Sequence, residues 1–200
     1  MHGTLTAEPR IKGAALIPLL AWYERRFGRE CLEAVLRTLP PAQAAYFDPR
    51  EAQGGLLSSI WYPQGPVHAV LERMLAGLAP DEQCSLAREA GRAVIETTLT
   101  GLYRFLFQAM LTPERYARHA QRLFEHFYDR GRLEKEIVGP RHHRTRVVGW
   151  AAHHRLICAA HLATIEYIYE ALGCRGVRAA RVACLDEGAP CCQFETTWQE

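Results

Sequence analysis

The residues best suited to chemistry are the cysteines and histidines gathered in the C-terminal quarter of this 200-residue chain. Thiolate and imidazole groups are the usual ligands of tetrahedral metal ions, and a thiol beside an imidazole can also act as a nucleophile. His154, Cys158 and His161 stand at i, i+4 and i+7, which places them on one stripe of a helix. Cys184 and Cys192 flank the loop Asp186-Glu187-Gly188-Ala189-Pro190, where glycine permits positive φ and proline adds rigidity. Alternation along the last strand puts Cys192 with Phe194, Thr196 and Trp198 on one face and Cys191 on the other. A hairpin centred near Gly188 then brings Cys184 opposite Cys192. Helix and hairpin together could hold a tetrahedral ion through Cys158, Cys184, Cys192, His154 and His161, and zinc is the candidate because it accepts sulfur and nitrogen. The spacing is not that of a compact zinc ribbon, and the ordinary alternative is that these three cysteines are small buried hydrophobes.

Catalytic templates are absent from the sequence: there is no phosphate loop, dinucleotide glycine fingerprint, serine elbow or His-Glu-x-x-His. Cys158 with His154 or His161 as base is an unspecific pairing, so a zinc or thiol enzyme is the minor reading and a non-catalytic protein the main one. His142-His143 and His153-His154 read as loop and cap residues, and His119 and His126 need no special role. Tyr103, Phe107, Phe124, Phe127, Trp150 and Tyr167 could line an apolar ligand pocket between helices and sheet. A solid aromatic core is the competing reading of the same residues.

The elements that must position these groups follow from periodicity and punctuation. Ile11 to Leu39 reads as helix, broken near Gly28 and stopped by Pro40-Pro41. A short extended piece fits around Leu56 to Trp61, followed by a helix carrying Val67, Val70, Leu71 and Met74. Helical spacing then runs from Asp81 to Leu111, weakened by Gly91 and Gly101. Thr112-Pro113 opens another helix. Arg132 to Val138 and His143 to Trp150 form a hairpin, Ala152 to Leu172 a helix apolar nearly all round, and Val177 to Leu185 with Cys191 to Trp198 a second hairpin. The expected fold class is therefore α+β, with helices packed on an antiparallel sheet made of two β-hairpins. The expectation is a single domain over 1–200, mainly helical over 11–128 and hairpin-helix-hairpin over 132–198.

Composition narrows the function classes. The hydrophobic share of 48% and charged share of 23% are those of a globular domain. The net charge is +2, and Arg25, Arg26, Arg29 and Arg37 alternate with Glu24, Glu30 and Glu33, so no basic patch points to nucleic acid. No run of about 18 apolar residues indicates a membrane span, and the first ten residues lack the apolar core of a secretion signal. A cytoplasmic location is expected, where the seven cysteines stay reduced.

The run Cys184-Leu185-Asp186-Glu187-Gly188-Ala189-Pro190-Cys191-Cys192-Gln193-Phe194 resembles the ending of 4-vinyl reductase domains, a family similar in fold to TRAPP trafficking subunits and haem-based nitric oxide sensors. Ile11-Lys12-Gly13, Trp61-Tyr62-Pro63 and the Tyr103-to-Leu106 segment also look like a paralogous bacterial family of about 200 residues with no assigned activity. The resemblance implies a structural zinc beside a ligand pocket, with Cys158, Cys184 and Cys192 matching three of its ligands. The fourth, a glutamate three residues before the first hairpin cysteine, is Arg181 here, so His154, His161, Asp186 or a water would have to replace it. The Tyr-x-Ser-x-Arg signature of the haem sensors is absent, so haem is not expected. No cofactor is thus certain, and zinc is the candidate. The expected function is a non-catalytic module that binds or senses a small apolar molecule, read out through a homodimer or a signalling partner protein. The alternative is a homodimeric interaction scaffold similar to trafficking subunits, using an apolar face on Ile11 to Phe27.

Overall fold

A computed structural model describes residues 8–100 and 112–199 of the chain. Strand β1 (Arg10–Lys12) is followed by helices α1 (Gly13–Phe27), α2 (Arg29–Arg37) and α3 (Pro41–Ala44). Strand β2 (Trp61–Pro63) leads into α4 (Gln64–Met74) and α5 (Pro80–Thr100). After the undescribed residues come α6 (Pro113–Phe127), β3 (Arg132–Gly139), β4 (His142–Val148), α7 (Arg155–Ala171), β5 (Arg175–Ala183) and β6 (Cys191–Gln199).

Local chemistry explains the boundaries. Gly28 takes φ 98°, a value open to glycine, and separates α1 from α2. The Thr112 hydroxyl accepts from the Arg115 amide at 3.3 Å, and Pro113 fills the first helical position of α6. His154 Nδ1 accepts from the Leu156 amide at 3.2 Å and so caps α7.

The four-stranded sheet has the order β3-β4-β6-β5 and is antiparallel throughout. Two sequential hairpins therefore join through the β4–β6 pairing, and α7 connects them across one face. On that inner face His143, Thr145 and Val147 of β4 lie beside Cys192, Phe194 and Thr196 of β6, all fully buried. The outer face carries a charge ladder instead, with Arg144 to Glu195 at 2.7 Å, Arg144 to Glu136 at 3.2 Å and Arg146 to Glu134 at 3.6 Å. One dry face and one wet face are what an open antiparallel sheet allows. The α+β architecture expected from the sequence is the one observed.

Helix α7 lies between the sheet and α5, and the closeness of the helices rests on one residue. A Cβ built on Gly91 would overlap the carbonyl of Ala160, so glycine sets how near the two backbones come. Thr164 Oγ1 donates to the Ala160 carbonyl at 3.2 Å and lies 3.5 Å from that of Gly91. Arg88 to Glu166 (2.7 Å) and Arg92 to Glu170 (2.8 Å) flank the contact.

Three expectations change. Ile11 and Lys12 belong to a strand rather than the start of a helix, because β1 pairs with β2 and sets Ile11 opposite Tyr62. The extended piece sought around Leu56 to Trp61 is this same β2, shifted toward Pro63. The bulky apolar residues of helix α1 are mostly turned inward: Leu16, Leu20, Trp22 and Tyr23 are buried within the chain, while Ile17, Leu19 and Phe27 are half-buried. The segment beyond Thr100 of the expected long helix lies outside the described residues. Among those described, no helix is long and apolar enough to cross a membrane.

Candidate functional site

Two features stand out beneath the sheet, a thiol cluster and an apolar cavity. Cys158 comes from the first turn of α7, Cys184 lies just past β5, Cys192 is on β6, and His153 precedes α7. The three sulfurs are 3.8, 3.8 and 3.9 Å apart, and His153 Nε2 is 3.6 Å from the Cys184 sulfur. All four ligand atoms lie within 4.8 Å of one another. A disulfide needs about 2.05 Å, so these are free thiols. Thiolate–metal bonds of about 2.3 Å in a tetrahedron give sulfur–sulfur edges of about 3.8 Å. The spacing is therefore that of the vertices around a small ion.

The electrostatics of the cluster lean the same way. A hydrogen bond from Cys158 and the nearby His153 pull the Cys192 thiol down to about 4, despite burial. Cys158 is raised by that same hydrogen bond and by burial, and Cys184 is raised chiefly by burial. A divalent ion would draw off the protons that these thiols hold. His153 Nδ1 faces Asp186 Oδ1 at 3.5 Å, the outer-shell carboxylate that commonly orients a ligating imidazole.

The structure brings Cys158, Cys184 and Cys192 together but leaves two sequence candidates out. His154 points away, capping α7 and lying 3.4 Å from Glu72. His161, a turn further along, faces the cavity. His153 stands in the fourth place; the sequence reading offered its neighbour His154 as a ligand and read His153 only as a loop or cap residue. Only one of two neighbouring side chains can point back over the helix start, and the hydrogen bond to Leu156 selects His154. Arg181 supplies no ligand atom; its guanidinium pairs with Glu187 at 2.7 Å and reaches the Cys158 thiol.

The apolar space has two lobes. The first, about 120 Å³, lies among α1, α4, α5 and α7, and the second, about 90 Å³, among α5, α6, α7 and β3. Ala15, Val94, Tyr128, His161 and Thr164 line both, so the lobes meet there. Phe124 and Phe127 line the second lobe. Trp150 and Tyr167 do not line either. Trp150 is buried against Phe124, Tyr128 and His161, and the Tyr167 ring lies under Arg92 on the far side of α7. Tyr103 and Phe107 lie outside the described residues. Burial, and secondarily Lys135, lowers the pKa of His161 to about 4, so its imidazole is neutral at pH 7.

A separate polar network sits under β3 and β4. Lys135 Nζ donates to Thr145 Oγ1 at 2.8 Å and to the Tyr169 hydroxyl at 3.1 Å, and that hydroxyl meets His143 Nδ1 at 2.6 Å. Burial lowers Lys135 to about 7 and His143 to about 4. The network ties the first hairpin to α7.

No protein-family model matches the chain, and no curated protein is significantly similar to it. Solved structures are similar to it in fold. An H-NOX protein from K. algicida shares 13% identity at a TM-score of 0.67, covering 95% of this chain and 97% of that one. An H-NOX protein from S. oneidensis, solved in its Fe(II)NO ligation state, shares 11% at 0.69, covering 95% and 100%. An oxygen-binding H-NOX domain related to soluble guanylate cyclases shares 12% at 0.68, covering 95% and 96%. At such identities the likeness is one of fold. Of the resemblances drawn from the sequence, these structures bear on the haem-sensor branch. They also correct the cofactor expectation. Haem was set aside in favour of no certain cofactor or zinc, yet solved chains of this fold are haem proteins, described in terms of heme distortion across the H-NOX family.

Proposed function

We propose that the chain is a non-catalytic sensing module that takes a small, uncharged, largely apolar molecule into the two-lobed space around His161. The observation that supports this most is the space itself. An apolar cavity of about 150 Å³ in another protein stays dry and binds benzene or xenon, and the first lobe, about 120 Å³, is of that order. The likeness in fold to an H-NOX protein solved in its Fe(II)NO state and to an oxygen-binding H-NOX domain supports the class of function. Binding is read out by a partner protein. The comparisons lend no support to an interaction scaffold built on α1, whose Leu16, Leu20, Trp22 and Tyr23 are buried within the chain.

Haem is the group the fold brings forward, and the described residues fit it poorly. His161 offers a neutral imidazole of the kind that can ligate iron. None of the described residues lining the lobes, however, is a lysine or arginine to meet its two carboxylates.

The thiol cluster supports a second element of the reading. We infer that Cys158, Cys184, Cys192 and His153 hold a thiophilic divalent ion that pins α7 to the β5–β6 hairpin. Such an ion would fix the wall of the cavity without taking part in chemistry.

Toluene should raise the melting temperature of the wild-type protein by several degrees when present well above its dissociation constant. Ala15→Leu, which fills the space where the lobes meet, should remove that shift. No shift in the wild type, or a hemin titration giving a stoichiometric Soret band that His161→Ala abolishes, would overturn the small-ligand reading.

A further inference from the structure

We propose that Lys135 is a covalent capture site for small aldehydes, its free amine held in place by Tyr169 and His143. None of these three residues lines either lobe of the apolar space, so the site is independent of the ligand reading above. Of the 24 lysines and arginines in the chain, only Lys12 and Lys135 are lysines. Arginine serves the surface ion pairs, but a guanidinium stays charged and cannot act as a nucleophile, whereas a desolvated lysine can. Lys135 has no carboxylate partner among the described residues. Its Nζ lies 2.8 Å from Thr145 Oγ1 and 3.1 Å from the Tyr169 hydroxyl, with the Tyr116 and Tyr169 rings each 4.9 Å away. Strand β3 is an edge of the sheet and Lys135 is half-buried, which leaves a small solute a route to the amine.

An orphaned atom settles where the protons of this network sit. The Tyr169 hydroxyl is 2.6 Å from His143 Nδ1, while His143 Nε2 is buried with no partner among the described residues. With a charged lysine, which can only donate, the chain runs from Nζ through the phenol to Nδ1 and leaves the imidazole proton on Nε2 without an acceptor. With a neutral lysine it runs the other way. Nδ1–H then donates to the phenol, the phenol donates to the Nζ lone pair, and Nε2 is a bare lone pair. Interiors keep an unpartnered lone pair more readily than an unpartnered N–H, and burial independently brings Lys135 down to about 7. Around the network stand Glu114 and Tyr116 of α6, His142 of β4 and Cys174 beyond α7, and none of them hydrogen-bonds to Nζ.

The aldehyde is the sole co-reactant. The Nζ lone pair forms the new bond to the carbonyl carbon, the π pair moves to oxygen, the Tyr169 proton passes to that oxygen, and one Nζ proton returns to the phenolate. The carbinolamine then loses its hydroxyl and the last Nζ proton as water, leaving an imine. An imine nitrogen has no proton for Thr145 Oγ1, so capture alters the network that ties the first hairpin to α7.

Acetaldehyde with cyanoborohydride traps the imine as a stable secondary amine, and peptide mass mapping reads each lysine. In folded wild type at pH 7, Lys135 should be labelled at least about tenfold faster than Lys12, because an ordinary lysine is almost wholly protonated there. The Lys135 rate should rise with pH through about 7 and then level off. Tyr169→Phe keeps the ring and removes the proton relay, so it should slow Lys135 at least about fivefold and leave Lys12 unchanged. The wild-type comparison stands whether or not that variant folds. Labelling of Lys135 no faster than Lys12, or a Lys135 rate that keeps climbing in alkaline buffer as an exposed amine would, overturns the proposal. An unchanged rate in Tyr169→Phe overturns the part given to the phenol.

Discussion

Gly91→Ala should lower the melting temperature by roughly 6–10 °C, the equivalent of about 2–3 kcal/mol in a chain of this length. The sign is the informative part. In an exposed helix interior this substitution stabilises by up to about 1 kcal/mol, because alanine is the better helix former. Here the added methyl would overlap the Ala160 carbonyl, so α5 and α7 must separate. Separation strains the Thr164 contact and the Arg88–Glu166 and Arg92–Glu170 pairs, and it loosens the wall of the first lobe, which Gly91, Ala160 and Thr164 share. Overpacking of this kind costs about 1–3 kcal/mol and sometimes more. Urea unfolding measures it, and a variant as stable as wild type would show that the helices are not held at that distance.

Removing the ion proposed for the thiol cluster should have the larger effect. A strong chelator is expected to lower the melting temperature by more than about 10 °C, since an ion present at 1,000 times its dissociation constant contributes about 4 kcal/mol by mass action. Cys158→Ser should reproduce most of that loss, and chelator should then do little more. Cobalt(II) added to stripped wild type should give intense sulfur-to-metal absorption with the visible bands of a tetrahedral site, and Cys158→Ser should not. Indifference to chelator with no such absorption would reduce the three cysteines to packing residues.

Much of the frame was legible in the sequence because its signals are local. Glycine and proline mark the turns, the period changes from helix to strand after Asp129, and alternation along β6 turns Cys192 inward and leaves Cys191 less buried. What escaped depends on contacts distant in the chain. Ile11 reads as helix on its apolar neighbours, yet it pairs with Tyr62 across fifty residues. Gly91 reads as a weak point in a helix, and only Ala160 on a second helix explains it.

The candidate site divides in the same manner. Cys158, Cys184 and Cys192 could be brought together on paper because helix and hairpin periodicities are rigid. His153 could not, since it lies in a loop whose direction is set by the cap that its neighbour His154 makes. The pocket was sought among the bulkiest aromatics, which is where cores and cavities are hardest to separate. Trp150 proved to be filling, while small residues such as Ala15 and Ala90 leave the space open. A sequence shows which side chains are large, but a void is defined by the side chains that fall short.

A crystal pressurised with xenon tests the central claim most directly, because xenon occupies dry apolar space without regard to hydrogen bonding. The account predicts xenon density in the first lobe, between Leu71, Val94 and His161, and weaker density in the second, beside Phe124, with both displaced by soaked cyclohexanol. An interior that admits no xenon, with side chains closed over His161, would contradict it.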